Sequence, residues 1–267
     1  MTALLYTAVD LLIANALSKV AESREAQVSS SFTSSRQNDR LDGAIVSAAY
    51  LFSPFTLAAC LGRSTSTFTN LAVIQAVASA IEGEAFQTTL ALAFASYLAM
   101  YPALLLPPIA LLCMDRMVVK QSAKGSELVF ILNMGTGIIG GMAVLLCLSY
   151  LITGSWDFLS ATYGVQLMMP DLTPNIGLWW YFFIEIFDSF REFFLGVFWL
   201  HLVGYVGGLT IRLRKQPLFV ITSLLGLLAI FKPYPSISDV SLYLAFLPLY
   251  KHIFPRKSQH SICQVNC

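Results

Sequence analysis

The sequence predicts an all-α, polytopic transmembrane bundle: one helical domain over residues 1–253 and a polar tail over 254–267. Three observations carry that prediction. Of 267 residues, 57% are hydrophobic and only 12% charged, against about 25% charged in an ordinary soluble domain. Mean hydropathy is +0.70, more apolar side chain than one soluble core of this size can hide. The apolar runs are continuous rather than alternating, which selects helices over a β-barrel. A soluble enzyme and a disordered chain are thereby excluded. The net charge of +1 gives no electrostatic reason for a nucleic-acid partner.

The apolar segments run over 1–17, 43–61, 68–81, 85–114, 128–153, 178–211, 217–231 and 237–253. A span needs about 20 residues. The second segment is interrupted by Phe52-Ser53-Pro54-Phe55-Thr56, so Pro54 marks a broken helix. The 85–114 block carries Tyr101-Pro102 and Pro107-Pro108, and reads either as one kinked helix or as two short ones. Charge decides between them. Lys and Arg cluster at 19–40, 116–124, 212–215 and 251–257, and are absent from 154–177. All four clusters share one side only if the chain crosses twice within 85–114. Nine membrane helices follow, with a break at Pro102. The cytosolic side then holds an 18–42 loop, 82–84, 115–127, 212–216 and the tail. The far side holds 62–67, 101–102, a 154–177 loop and 232–236. Met1 falls on the far side, so a further helix is expected upstream. The 29–35 stretch is Ser-rich and reads as a flexible linker.

The 178–211 segment is too long for one crossing. Counting back from Arg212 makes 193–211 the span and leaves 178–191 at the far interface. There Trp179, Trp180, Tyr181, Phe182 and Phe183 form an aromatic belt. Glu185, Asp188 and Glu192 are spaced to share one helix face, with Arg191 placed to pair with Asp188. That acidic face either meets an amine-bearing ligand or partner, or is simply solvated. His201 lies inside the span. It is either a functional intramembrane group or an imidazole hydrogen-bonded between helices. Asp10 is expected to pair with another helix or to mark a span end.

The far-side loop reads Ser155-Trp156-Asp157-Phe158 and then Pro170-Asp171-Leu172-Thr173-Pro174-Asn175-Ile176-Gly177. Pro174, Asn175 and Gly177 suit a rigid turn with a cap-like entry to the next helix. Asp157 and Asp171 either bind a metal or act as a base, or are loop-structural; their 14-residue separation without an Asp-x-Asp pattern favours the loop-structural reading. Phe231-Lys232-Pro233-Tyr234-Pro235 places a second proline turn, at Pro233, before the last helix. Broken helices persist in lipid where protein or a cavity satisfies the freed backbone, so both breaks suit a bundle folded around a groove. No Gly-rich phosphate loop, nucleophile elbow or metal-ligand spacing occurs. No catalytic residue, metal site or cofactor is expected. Cys60, Cys113 and Cys147 sit in or beside apolar runs and read as small hydrophobes.

These motifs closely resemble the PIG-U family, a subunit family of glycosylphosphatidylinositol (GPI) transamidase. The likeness is carried by 155–158 and by 170–185, ending Leu178-Trp179-Trp180-Tyr181-Phe182-Phe183-Ile184-Glu185. The motifs at Phe52, Tyr101-Pro102 and Phe231 through Phe246 follow in the same order. The resemblance implies a multi-pass protein of the endoplasmic reticulum membrane, working beside PIG-K, PIG-T, PIG-S and the GPI-anchor attachment subunit. PIG-K carries the cysteine-protease-like chemistry. The subunit itself is implied to do none, and to help hold the GPI lipid or the attachment signal. A stretch likened to fatty-acid elongases corresponds to 187–205, and the architecture resembles the GT-C mannosyltransferases. The family has further helices before residue 1 and after about 253, and the 260–267 tail follows no family pattern. Under this resemblance the far side is the lumen. Trp179, Trp180, Glu185 and Asp188 are expected to face the GPI headgroup and upper acyl chain. Phe193, Phe194, Phe198 and His201 are expected to line a deeper part of the groove. The competing enzyme reading is a GT-C mannosyltransferase using a dolichol-linked donor, which needs a lumenal acidic base. A small-solute transporter would show two matched halves, and none is evident.

Overall fold

The computed structural model describes residues 2–27, 42–120, 126–168, 172–251 and 253. Among them every regular element is helical. The order is α1 (Thr2–Glu22), a 3-10 turn (Glu25–Gln27), α2 (Gly43–Leu51), α3 (Pro54–Leu61), α4 (Ser66–Glu82) and α5 (Ala85–Leu98). A 3-10 turn (Tyr101–Leu105) leads into α6 (Leu106–Val119) and α7 (Glu127–Thr153). Then come the short α8 (Asp157–Leu159), a π-helical turn (Ser160–Gly164) and α9 (Val165–Met168). The last part is α10 (Leu178–Glu185), a 3-10 turn (Asp188–Phe190), α11 (Arg191–Arg212), α12 (Pro217–Phe231) and α13 (Ile237–Phe246), closed by a 3-10 turn (Leu247–Tyr250).

The boundaries follow local chemistry. Pro54, Pro107-Pro108 and Pro217 open α3, α6 and α12, where a missing N–H costs nothing. Gly83 ends α4 at φ +74°, the left-handed conformation that glycine adopts freely. Ser236 and Asp239 form a capping box on α13. Four segments are long and apolar enough to cross a membrane alone: Thr2–Glu22, Tyr101–Val119, Glu127–Thr153 and Asp188–Arg212. The pair α2–α3, bent by 51° at Pro54, makes a fifth if taken as one span. Helices α5, α12 and α13 with its 3-10 turn are apolar but shorter.

Several expected boundaries move. Residues 18–22 belong to α1 rather than to a loop. The 85–114 block is two helices, but the turn comes at Ala99, whose backbone is extended, just before Pro102. The 154–177 segment is partly helical, through α8 and α9. The Ser-rich 29–35 stretch, Lys124, Pro170, Asp171 and the 254–267 tail lie outside the described residues.

The core sits where α1, α2, α4, α6, α12 and α13 meet, around Ile13, Leu17, Tyr50, Ile74, Ile109 and Phe246. Small residues on α4 and α5, among them Ala76, Ala80, Ala93 and Ser96, are buried and let those helices approach closely. Asp10 does find another helix: the Tyr50 hydroxyl donates to its carboxylate at 3.0 Å. By contrast α7 and α11 wrap the outside. Only Met134 and Ile138 of α7, and Leu202, Val206 and Thr210 of α11, are buried. Their outward faces are apolar, with Leu151 76% and Ile211 81% exposed, the inside-out surface that a lipid environment accommodates.

Among the described residues, ion pairs gather members of three basic clusters at one end. Lys19 meets Glu82 at 3.3 Å, Arg116 meets Glu25, and Lys120 donates to the Glu82 carbonyl. Arg214 forks onto Asp115 at 2.9 and 2.8 Å and onto Glu127 at 2.8 Å. At the opposite end the Tyr6 hydroxyl donates to the Arg63 carbonyl (2.8 Å), Ser64 meets Ser236 (2.9 Å) and Thr67 meets Ser238 (3.1 Å). The Tyr163 hydroxyl donates to the Tyr97 carbonyl at that end as well. Residues from 62–67, 97–101 and 232–236, with Tyr163, therefore gather at the end opposite these ion pairs.

Candidate functional site

The far end of the bundle holds a cleft. Its walls are the start of α4, the Leu98–Tyr101 turn, Gln166 of α9 and the Lys232–Tyr234 turn. It is open on one side and holds about 250 Å³; a smaller hollow of about 40 Å³ beside Asn70, Leu105, Leu225 and Asp239 shares Thr69, Tyr101 and Lys232 with its lining.

Hydrogen bonds between distant segments frame it. The Asn70 amide donates to the Ser238 carbonyl (2.8 Å) and to its hydroxyl (2.9 Å), joining α4 to α13. Lys232 pairs with Asp239 at 2.9 Å, both side chains largely buried. Asp239 also accepts from the Ser236 backbone at 3.3 Å. The 172–177 turn closes one flank. Asn175 accepts from the Gly177 N–H at 2.7 Å, and the Tyr234 hydroxyl accepts from the Thr173 N–H at 3.3 Å. A Cβ on Gly177 would lie 2.7 Å from Asn175 Oδ1 and 2.8 Å from Pro235 Cδ, so this turn tolerates only glycine without shifting. Pro174, Asn175 and Pro233 thus belong to one locked corner. Asp157 stays local, accepting from the Ser155 hydroxyl at 2.7 Å. Pro102 is buried in the wall of the smaller hollow.

Two polar atoms in the cleft lining are left over. The Tyr101 hydroxyl and the Gln166 side-chain carbonyl are buried and have no hydrogen-bond partner among the described residues. Tyr101 is 3% exposed. Its ring is held by stacking on Trp199, with centroids 5.6 Å apart, while its hydroxyl is left unsatisfied.

The aromatic segment beside the cleft differs from its expected form. Residues 178–191 are not one interfacial helix leading straight into a span. The chain is extended at Ile186 and Phe187, and α10 folds back on α11. Trp179 and Phe198 would be about 28 Å apart on one straight helix; their ring centroids are 4.5 Å apart. Phe182 packs on Phe194 (5.2 Å) and Phe198 (5.0 Å). Glu185, Asp188 and Glu192 therefore do not share a continuous helix face, although all three are exposed. Arg191 stacks over the Phe183 ring at 5.7 Å. Trp179 is fully buried and donates its indole N–H to the Phe231 carbonyl, which ties the aromatic segment to the end of α12. Trp180 is half-buried and Phe193 is 66% exposed. His201 is exposed, and its Nδ1 lies 2.8 Å from the Val197 carbonyl of its own helix, not between helices.

Comparison with known proteins shows the family. The family profile described as GPI transamidase subunit PIG-U matches residues 1–266. The chain belongs to the PIG-U family. It is 37% identical over 210 residues to the GPI-anchor transamidase component PIGU of Homo sapiens, a match covering 78% of this chain and 48% of that protein. It is 33% identical over 254 residues to the GPI transamidase component GAB1 of Saccharomyces cerevisiae, covering 94% of this chain and 58% of that one. A GAB1 homolog of Schizosaccharomyces pombe is 44% identical over 115 residues. The chain spans about half the length of the human PIGU that it matches.

Within this PIG-U family chain, sequence reasoning found the proline corners but missed their polar neighbours. Tyr101 and Lys232 stand inside the quoted proline motifs, and Gln166 lies in a segment that shows no motif. The available signal was weak: Lys232 is the lysine within an otherwise basic-poor far side.

Proposed function

We propose that this chain serves as a non-catalytic, membrane-embedded subunit of a GPI transamidase complex, where it helps to hold the GPI lipid or the attachment signal. The observation that carries the reading is the PIG-U profile match along residues 1–266, with relatives named as transamidase components in human and yeast. The catalytic subunit PIG-K, with PIG-T, PIG-S and the GPI-anchor attachment subunit, are its proposed partners in the endoplasmic reticulum membrane. Nine crossings in a GT-C-like arrangement are part of the proposal. The gathering of alternate connections at opposite ends supports that topology.

The proposed contact surface is the aromatic segment at the far end. Trp180, Glu185, Asp188 and Phe193 offer surface to a headgroup and upper acyl chain. Phe194 and Phe198 line the seam below, with His201 deeper on α11. Trp179 is the buried anchor that orients them. The carboxylates attract the amines that GPI carries, and the rings suit the depth where lipid meets water.

A tagged pull-down from mild detergent, probed for the catalytic and lumenal subunits, tests the assignment. Co-purification is the expected result. Absence of those partners both with this chain and with the full-length gene product would overturn it. For the contact surface, Glu185→Gln with Asp188→Asn should lower GPI attachment while assembly persists. Unchanged attachment would remove the headgroup role of these carboxylates.

A further inference from the structure

The basic end of the bundle, cytosolic in the proposed topology, holds two cations without a counter-charge. Arg212 closes α11 and Lys215 stands in the turn that follows. Both are exposed, and neither has a hydrogen-bond or ion-pair partner among the described residues. Arg214 between them differs, because Asp115 and Glu127 occupy its guanidinium. The two carboxylates that face this turn are thus already engaged, and the turn keeps a surplus of positive charge.

A bare strip of helix runs from Arg212 into the membrane. Gly208 and Gly204 precede Arg212 on the same face, at successive i, i+4 steps. That face is opposite to Leu202, Val206 and Thr210, which bury α11 against the bundle. A Cβ added at Gly204, Gly207 or Gly208 would meet nothing within 4 Å. Other glycines have a neighbour that explains them. A Cβ on Gly137 would lie 2.8 Å from Thr89, on Gly141 2.9 Å from Ala93, and on Gly226 2.9 Å from Tyr243. On α11 the glycines weaken the helix and leave an open channel. Along the axis Gly208 lies about 6 Å from Arg212, Gly204 about 12 Å and His201 about 16 Å. The hydrocarbon of one leaflet is about 15 Å deep. The strip therefore has the length of one acyl chain, with cations at headgroup level and the exposed Leu200 and His201 at its foot.

Few occupants answer both features. A free inorganic anion meets the cations and leaves the strip empty. A neutral lipid fills the strip and brings no net charge to Arg212 and Lys215. A second transmembrane helix would pack on the glycines, but Leu200, 70% exposed, stands out of the same face between Gly196 and Gly204 and holds a straight helix away. A phospholipid with a singly charged headgroup meets both, since anionic lipid headgroups are held by basic residues at the cytosolic surface. We propose that the Arg212–Lys215 turn and the Gly204–Gly208 strip of α11 form a binding site for one anionic glycerophospholipid. Its phosphate lies between the two cations and one acyl chain lies in the strip. The site is independent of the proposed function: it takes a different lipid, in the leaflet opposite the aromatic seam.

The test titrates the full chain in mild detergent with phosphatidylglycerol and, separately, with phosphatidylcholine of the same acyl chains, and counts bound lipid by native mass spectrometry. One phosphatidylglycerol should bind saturably and more tightly than phosphatidylcholine. Arg212→Gln and Lys215→Gln should each weaken phosphatidylglycerol about five-fold and leave phosphatidylcholine unchanged. Gly204→Leu with Gly208→Leu should also weaken it. That pair should not lower the thermal unfolding midpoint in phosphatidylcholine nanodiscs, because nothing stands within 4 Å of the added Cβ atoms. Equal binding of the two lipids would overturn the proposal, as would binding indifferent to both pairs of substitutions. Displacement of phosphatidylglycerol by inorganic phosphate would overturn it too, by showing an anion site that needs no acyl chain. So would a glycine pair that keeps the lipid but loses co-purifying subunits, which would make the strip a helix seam. Lipid binding without any co-purifying transamidase subunit would sink the proposed function and leave this site standing.

Discussion

The Tyr101 ring lies parallel to the Trp199 ring, with 5.6 Å between centroids and 8° between planes. That stack joins the cleft to the outer helix α11, whose other contacts with the core are few. It couples the cleft on one side of Tyr101 to the α10–α11 aromatic seam on the other. Trp179 closes the same cluster, 6.5 Å from Trp199.

Trp199→Ala should therefore loosen the join between α11 and the cleft wall. Losing the stack and the partly buried ring is expected to cost about 1–3 kcal/mol, read as a lower thermal unfolding midpoint in nanodiscs. Tyr101→Phe should cost less, since it keeps the stack and loses only a hydroxyl that has no partner among the described residues.

At the opposite end Arg214 ties three elements together, reaching Asp115 of α6 and Glu127 of α7 from the α11–α12 turn. Those two carboxylates, Asp115 first, hold its guanidinium above the usual arginine range. The side chains are partly exposed, so the expected loss in Arg214→Ala is about 1–2 kcal/mol and shrinks in high salt. Arg214→Lys should recover little of it, because an ammonium cannot reproduce the two-pronged contact. A double-mutant cycle with Asp115→Asn in low and high salt measures the coupling.

Glu25 sits at the same end, between the α1 exit and Arg116. Burial raises its carboxyl above the ordinary 4.5, with Arg116 partly offsetting the rise. The folded state therefore binds this proton more tightly than the unfolded chain, and the group's contribution to stability falls as pH rises through that range. Glu25→Gln removes the titration. Its stability relative to the parent should improve from about pH 4 towards pH 7, measured as the difference in unfolding midpoint across that window. A constant difference would show that the pair with Arg116 cancels the burial cost.

Topology is open to a direct readout, because the sequence holds no Asn-x-Ser/Thr acceptor of its own. Asp171→Asn completes such a site with Leu172 and Thr173 in the far-side loop. Lys124→Asn completes one with Gly125 and Ser126 in the basic connection. The first variant should gain a glycan in microsomes and the second should not. The reverse pattern would invert the bundle in the membrane.

How much of this was legible beforehand depended on how local the cause was. The breaks at Pro54, Pro102 and Pro233 were readable because a proline's missing donor acts on its own residue and its immediate neighbours. The chain break at Ile186-Phe187 was not. Neither residue is a breaker, and the helix yields there to let Trp179, Phe182 and Phe183 pack against Phe198. The expected acidic face of Glu185, Asp188 and Glu192 failed for that reason. Asp10 was correctly expected to seek another helix, yet nothing local named Tyr50 as the donor.

By itself the sequence determined the apolar helices, their main interruptions, the two-ended charge pattern and the family. These are set by hydropathy, by proline and by Lys/Arg placement, which act over one span or less. Only the tertiary structure decided that Trp179 is buried while Phe193 is open, and that Tyr101, Gln166 and Lys232 line one cleft. It also joined Asn70 to Ser238 across 168 residues of chain. Such neighbours are chosen by the packing of whole helices, whose energy is shared over many contacts and leaves no mark at any single position.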